Sequence, residues 1–214
     1  GIGTMRGERV PYGEGKARLL AAAAQWMADH GSLAGLTLRS LATLAGISHN
    51  AIYRHYRSVE DMALDLAADF AQQLRAGLSQ ARDEVKPGAG PSRTVVGWLF
   101  DFALAHPAHF KTAHLTRMGP PGAARELLEA QLAEIRQDMR TQLTLKRMLP
   151  EMPADDLDAA LALIIEHTFL LCIRCIEAPE QRPALLLRAE QVFTWVLTGA
   201  ALTAQRGNPP KPGP

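Results

Sequence analysis

Apolar positions recur at helical spacing along most of the chain. Leu38, Leu41 and Ala42 fall at i, i+3 and i+4, which lays three apolar side chains on one helix face. Thr37 stands ahead of this run as an N-cap, and Gly46 stands behind it, where the left-handed conformation costs glycine little. Ile47 follows as an apolar plug and Ser48 as a second N-cap. Residues 49–56 then read as a short second helix that is aromatic, polar and basic. Two short helices joined by a tight apolar turn form the pattern of a helix-turn-helix whose second helix enters a DNA groove.

The same period continues on both sides of this motif. Residues 16–30 carry Leu19, Leu20, Ala23, Ala24, Met27 and Ala28 as one stripe, closed by Gly31. Ser58 caps a long fourth helix to about residue 84, with Met62, Leu66, Phe70 and Leu74 on its buried side. Residues 86–92 hold two prolines and two glycines and read as a loop. Further helices are expected over residues 94–105, 108–117, 123–148, 155–176 and 183–205. Residues 1–15 and 207–214, rich in glycine or proline, read as disordered ends. Strand-like alternation is absent, so the chain reads as all-α with nine helices. The expected division is a DNA-binding domain over residues 1–60 and a ligand-binding and dimerisation domain over residues 61–206.

Composition narrows this picture. At 214 residues and 47% apolar, the chain is long enough to bury a core and is not globally disordered. The net charge of +1 hides an asymmetry. Residues 1–57 hold seven basic side chains (Arg6, Arg9, Lys16, Arg18, Arg39, Arg54, Arg57) against three acidic ones. Residues 151–180 hold seven acidic side chains against Arg174 alone. A basic end on a neutral or acidic body suits docking on phosphates. The most apolar run is interrupted by Glu166, His167 and Arg174, so no membrane span is expected, and a cytoplasmic protein with reduced thiols is.

Thr37, Leu41, Ala42, Ala45, Gly46, Ile47, Ser48, Ile52, Tyr53, His55, Tyr56, Glu60 and Met62 together closely resemble the DNA-binding signature of TetR-type regulators. The resemblance implies a nine-helix fold, a homodimer, a double-stranded DNA operator and a small hydrophobic effector. Two positions depart from the signature: Asn50 where glycine is usual, and Val59 where a phosphate-contacting lysine is common. The segments Thr37–Ile47 and Tyr53–Leu64, and Trp98–Arg117 with its His106-Pro107-Ala108-His109-Phe110 run, are similar to the subgroup that represses unsaturated fatty acid synthesis. That similarity implies an acyl-CoA effector.

Roles follow from residue chemistry. Ile52 belongs inside, and Tyr56 packs toward the first helix. His49, Asn50 and Tyr53 face the groove, and Asn50 has the bidentate amide that pairs with adenine. Arg39, Tyr53, Arg54 and His55 suit phosphate oxygens, with Thr37 and Ser48 at the helix starts beside them. Trp98, Phe102, Phe110, Leu115, Met118, Met139, Ile165 and Phe169 are the candidate effector-lining residues. Leu161, Ile164, Thr168, Leu171, Cys172, Val192, Trp195 and Val196 exceed what one small core needs and suggest a four-helix dimer interface. His106, His109 and His114 raise a metal-dependent enzyme as an alternative, but no carboxylate or thiol lies near them and Pro107 breaks their helical spacing. No metal or cofactor is therefore expected. Cys172 and Cys175, one helical turn apart on an apolar helix, read as buried small hydrophobes, not a redox pair. A helical adaptor that binds only protein is the other alternative; the basic, groove-sized helix argues against it.

Overall fold

The computed structural model describes residues 10–86 and 90–207. Among these residues nine α-helices run in order: α1 (Tyr12–His30), α2 (Leu38–Ala45), α3 (His49–Ile52), α4 (Val59–Asp83), α5 (Pro91–Ala105), α6 (Pro107–Met118), α7 (Ala123–Leu145), α8 (Ala154–Glu177) and α9 (Arg182–Gly207). A single 3₁₀ turn, Pro179–Gln181, leads into α9. The all-α, nine-helix expectation holds. The chain forms two compact units: Gly1–Phe70 with Ala108–Leu128, and Ala71–Pro107 with the rest from Glu129. Helix α4 contributes residues to both.

The first unit is organised by α2. Thr37 Oγ1 accepts from the Ser40 amide and Ser40 Oγ accepts from the Thr37 amide, each at 3.0 Å, so the helix start has a reciprocal capping box. Gly46 closes the helix at φ 70°, as its position in the sequence implies. Leu41, Ala42 and Ile52 from α2 and α3 meet Leu19, Ala23 and Ala24 of α1 and Met62 of α4 in one fully buried cluster. Small alanines on the α1 and α2 faces let these helices approach closely. Tyr56, buried behind α3, donates its hydroxyl to Asp65 at 2.6 Å, and Lys16 pairs with the same carboxylate oxygen at 3.1 Å. Three separate segments are thereby joined by one polar knot.

Helix α5 begins at Pro91, inside the expected loop, and α7 ends at Leu145, three residues early, but two other boundaries depart further from the sequence reading. Helix α1 begins at Tyr12, so residues 12–15 are ordered helix, not a frayed end. Gly15 is buried there, and a Cβ on it would stand 3.4 Å from His55 Nε2 and 3.6 Å from Ile47 Cδ1. An added Cβ would make ordinary van der Waals contact there, and the glycine does not break the helix. Helix α3 ends at Ile52, four residues short of expectation. Its next amides, from Arg54 and His55, donate to carbonyls three residues back, so the chain tightens into turns. The expected disordered segments over residues 1–9 and 208–214 lie outside the described residues.

The second unit is a helical body in which α8 packs against both α5 and α9. Leu157, Ala160, Leu161 and Ile164 of α8 meet Leu143 of α7 and Leu197 of α9 in its buried cluster. Helix α4 reaches α5 at Gly77, where an added Cβ would overlap the Trp98 indole. Interhelical arginine–carboxylate pairs hold the outside: Arg75 with Glu134 and Asp138, Arg140 with Asp158, Arg182 with Asp101, and Arg93 with Glu190. Contrary to the sequence reading, α8 is long and apolar enough to cross a membrane by length and composition, with a mean hydropathy of 1.9. A third of that apolar stretch is buried inside the protein, and α5 and α9 pack against the helix.

Candidate nucleic-acid interface and effector cavity

The helix-turn-helix presents its second helix from a rigid base. Ser48 Oγ accepts from the Ala51 amide at 3.2 Å and caps α3. His49 Nε2 and Thr43 Oγ1 share a 2.9 Å hydrogen bond that ties α3 to α2. Ile52 is fully buried beneath, which fixes the rotation of α3 and leaves Asn50 and Tyr53 outward. Tyr53 is 61% exposed. Arg39 and Arg54 are exposed, and neither guanidinium meets a carboxylate among the described residues. A groove-sized edge thus carries an amide, a phenol and two uncommitted cations.

Thr37 and Ser48 have their hydroxyl oxygens engaged in caps, so both set the helix ends as well as flanking that edge. His55 sits differently. Its ring stacks on Tyr12 at 4.3 Å and an 18° interplanar angle, and its Nδ1 is buried without a partner. Burial, with Lys16 and Arg54 nearby, pushes its pKa down, so it is neutral near pH 7 and offers no charge to a phosphate. The Tyr56 phenol is pushed far up by burial and by its bond to Asp65, and it stays protonated as the knot requires.

The second unit encloses an apolar cavity of about 90 Å³ between α4, α5, α7, α8 and α9. Met139, Ile165 and Phe169, three residues singled out in the sequence, line it. Trp98 and Phe102 do not; they stack on each other at 5.1 Å beside Gly77. Phe110 and Leu115 belong to the first unit, where Phe110 is buried edge-on to Phe70 at 5.7 Å. Met118 lies on the surface of that same unit, 61% exposed. Sequence reasoning missed Leu78, Arg82, Val95, Leu99 and Phe193. The signal for Leu78 was present, since it continues the apolar stripe of Phe70 and Leu74 at i+4 spacing.

Arg82 is the unusual member of this lining. Only 5% exposed, it donates from Nε to the neutral Gln142 Oε1. Burial lowers its pKa against the raising influence of Asp138 and Asp83, which act from beyond contact. Arg82 also lines an open polar groove of about 640 Å³ between α4 and α7, with Gln72, Ser79, Thr141 and Gln142 among its walls.

The expected interface residues divide by face. Leu161, Ile164, Thr168, Leu171 and Cys172 point into the protomer's own core and are at most 9% exposed. A side chain already covered inside one chain offers a partner almost no surface. Val192 and Val196 are half-buried, while Trp195 is 57% exposed beneath the Arg188 guanidinium. The outward apolar surface of α8 and α9 is instead Leu163, Leu170, Leu187, Trp195 and Leu202. Cys172 and Cys175 are free and fully buried, and burial pushes both thiols up, away from reactive thiolate. His106 follows the last turn of α5, whereas His109 and His114 lie in α6. Among the described residues, no three His, Cys, Asp or Glu side chains gather into a metal-binding group.

A capped helix-turn-helix on a helical body is the architecture of a DNA-binding transcription regulator. Residues 19–66 match the family described as bacterial regulatory proteins, tetR family. The match covers the helix-turn-helix end of the chain, from α1 to the first turns of α4. Solved structures share the fold across nearly the whole chain. The fatty acid degradation regulator FadR from Bacillus halodurans is 15% identical, with a TM-score of 0.70 over 90% of this chain and 97% of that one. A TetR family transcription regulator from Marinobacter aquaeolei VT8 is 17% identical, with a TM-score of 0.66 over 85% and 95%. FadR from Bacillus subtilis, solved in complex with stearoyl-CoA, is 16% identical, with a TM-score of 0.63 over 86% and 98%. At these identities the likeness establishes the fold.

Proposed function

We propose that this chain is a TetR-type, effector-responsive repressor that binds a pseudo-palindromic operator as a homodimer in the cytoplasm. The observation that carries the reading is the α3 edge, where Asn50 and Tyr53 stand exposed between the uncommitted Arg39 and Arg54 on a locked base. Asn50 reads a base edge, and Tyr53 and the arginines hold phosphates. The functional division falls near residue 60, with the effector-binding and dimerisation body after it. The apolar cavity supports a hydrophobic effector, and the fold shared with a regulator solved with stearoyl-CoA supports an acyl-CoA as its class. The exposed apolar face of α8 and α9 supports pairing of two chains there, which would set two α3 helices about 34 Å apart. An effector acts by preferring one conformer of α4, which serves both units. The protein then performs no catalysis.

Selection from a random DNA library tests this. We expect an enriched inverted repeat, bound with a steep salt dependence. Tyr53→Ala should weaken all sequences alike, whereas Asn50→Ala should relax preference at one position per half-site by about 1–3 kcal/mol. Salt-insensitive binding, or no enrichment at all, would overturn the reading.

A further inference from the structure

Four arginines of the second unit each meet a carboxylate: Arg75, Arg93, Arg140 and Arg182. Arg82 is more deeply buried than any of them, yet no carboxylate lies within ion-pair distance of it among the described residues. Its acceptor, Gln142, is a neutral amide that turns its own Nε2 to Asp83 Oδ1 at 3.2 Å. Lys146 donates to the Arg82 carbonyl at 2.9 Å and brings a second positive charge close by. A buried cation with no carboxylate in contact is costly, because Asp138 and Asp83, acting from a distance, repay only part of its desolvation. Arg82 is also the one residue common to the lining of the apolar cavity and the polar α4–α7 groove. The cavity's other polar groups are weaker candidates. Thr168 already donates its hydroxyl to the Ile164 carbonyl at 2.7 Å, and Ser92 carries no charge.

We propose that Arg82 is the receptor for an anionic group on the effector. The apolar part of that molecule fills the cavity, its carboxylate or phosphate pairs with the guanidinium, and any larger polar remainder lies along the α4–α7 groove. This rests on the reading of the second unit as the effector-binding body, and it adds the chemistry and position of the effector's polar end. The planar guanidinium fork matches a carboxylate or a phosphate in two parallel hydrogen bonds. The cavity of about 90 Å³ is smaller than the apolar cavity of about 150 Å³ that admits benzene. An effector with a longer chain therefore widens the space between α4, α5 and α8 as it enters.

Titration calorimetry on the full-length protein with octanoate, octanoyl-coenzyme A and 1-octanol tests the assignment. At least one of the two anions should bind about 10- to 100-fold more tightly than the alcohol, the range expected for hydrogen bonds to a buried charge. Octanoate winning identifies a free carboxylate as the partner; octanoyl-coenzyme A winning identifies a phosphate-bearing head. In Arg82→Met the advantage should vanish while octanol affinity is retained. In Gln142→Glu it should also collapse, because an internal carboxylate then occupies the guanidinium. That variant keeps the cation, so it decides the question if Arg82→Met fails to fold. The proposal is overturned if octanol binds wild type as tightly as both anions, if none of the three binds, or if the advantage survives in both variants. Intact operator binding alongside any of those results leaves the regulator reading standing, and loss of both removes it as well.

Discussion

The two units solve the burial problem in different ways. In the first, helix ends are capped by their own hydroxyls, alanines alternate with larger side chains, and Leu19, Ala23, Ala24, Leu41, Ala42, Ile52 and Met62 are sealed completely. In the second, larger side chains surround a void, and long arginine–carboxylate pairs span the helices from outside. A surface that must match a DNA groove depends on a base with one conformation. The second unit retains space and a buried arginine with no carboxylate in contact, which under the proposed function suits a body that admits a small molecule.

The largest expected effect comes from opening the sealed core. Leu41→Ala should lower stability by about 2–5 kcal/mol, since the close-packed neighbours cannot collapse into the hole. Urea denaturation measures it, and a loss near zero would mean the first unit holds slack of its own. Enlargement should then have opposite signs in the two units. Ala42→Leu forces extra atoms into a filled site and should destabilise by about 1–3 kcal/mol. Val95→Ile adds a methylene beside the cavity and should stabilise by about 0.5–2 kcal/mol. Equal signs would break the contrast between the units.

The smallest effect is one of pH. Folding holds the His55 pKa below its unfolded value near 6.5, so the unfolded chain binds more protons in the interval between the two. The stabilisation from neutral His55 is complete above about pH 6.5 and is lost as pH falls from there through the lower folded value. Melting temperatures of wild type and His55→Gln should therefore diverge least at pH 5 and most at pH 7.5. A pH-independent gap would place the effect in the Tyr12 stack alone.

What could be read from the sequence follows the locality of each interaction. Thr37, Gly46, Ser48 and Ser58 act within one turn of themselves, so a single chain reveals their caps. The early start of α1 was hidden because Gly13 and Gly15 look like breakers until His55 and Ile47 are seen against Gly15. Helix α8 is apolar on more than one side, and periodicity alone cannot tell that Leu161 and Leu171 face inward while Leu163 and Leu170 face out. Arg82 near the end of a helix reads as an ordinary solvated cation favoured by the helix dipole. Its burial depends on Gln142, 60 residues away in the chain, and no local pattern carries that.

The close approach at Gly77 also gives the molecule an optical signature. Of three tryptophans, Trp26 stacks on His30 at 3.7 Å in the first unit, and Trp195 is largely in water under Arg188. Trp98 alone lies against the backbone of α4, where there is no room for even a methyl group. A displacement of α4 past α5 changes the surroundings of that one indole directly. With Trp26 and Trp195 replaced by phenylalanine, its emission would follow the helix that runs into the DNA-reading unit, in real time and without an attached dye.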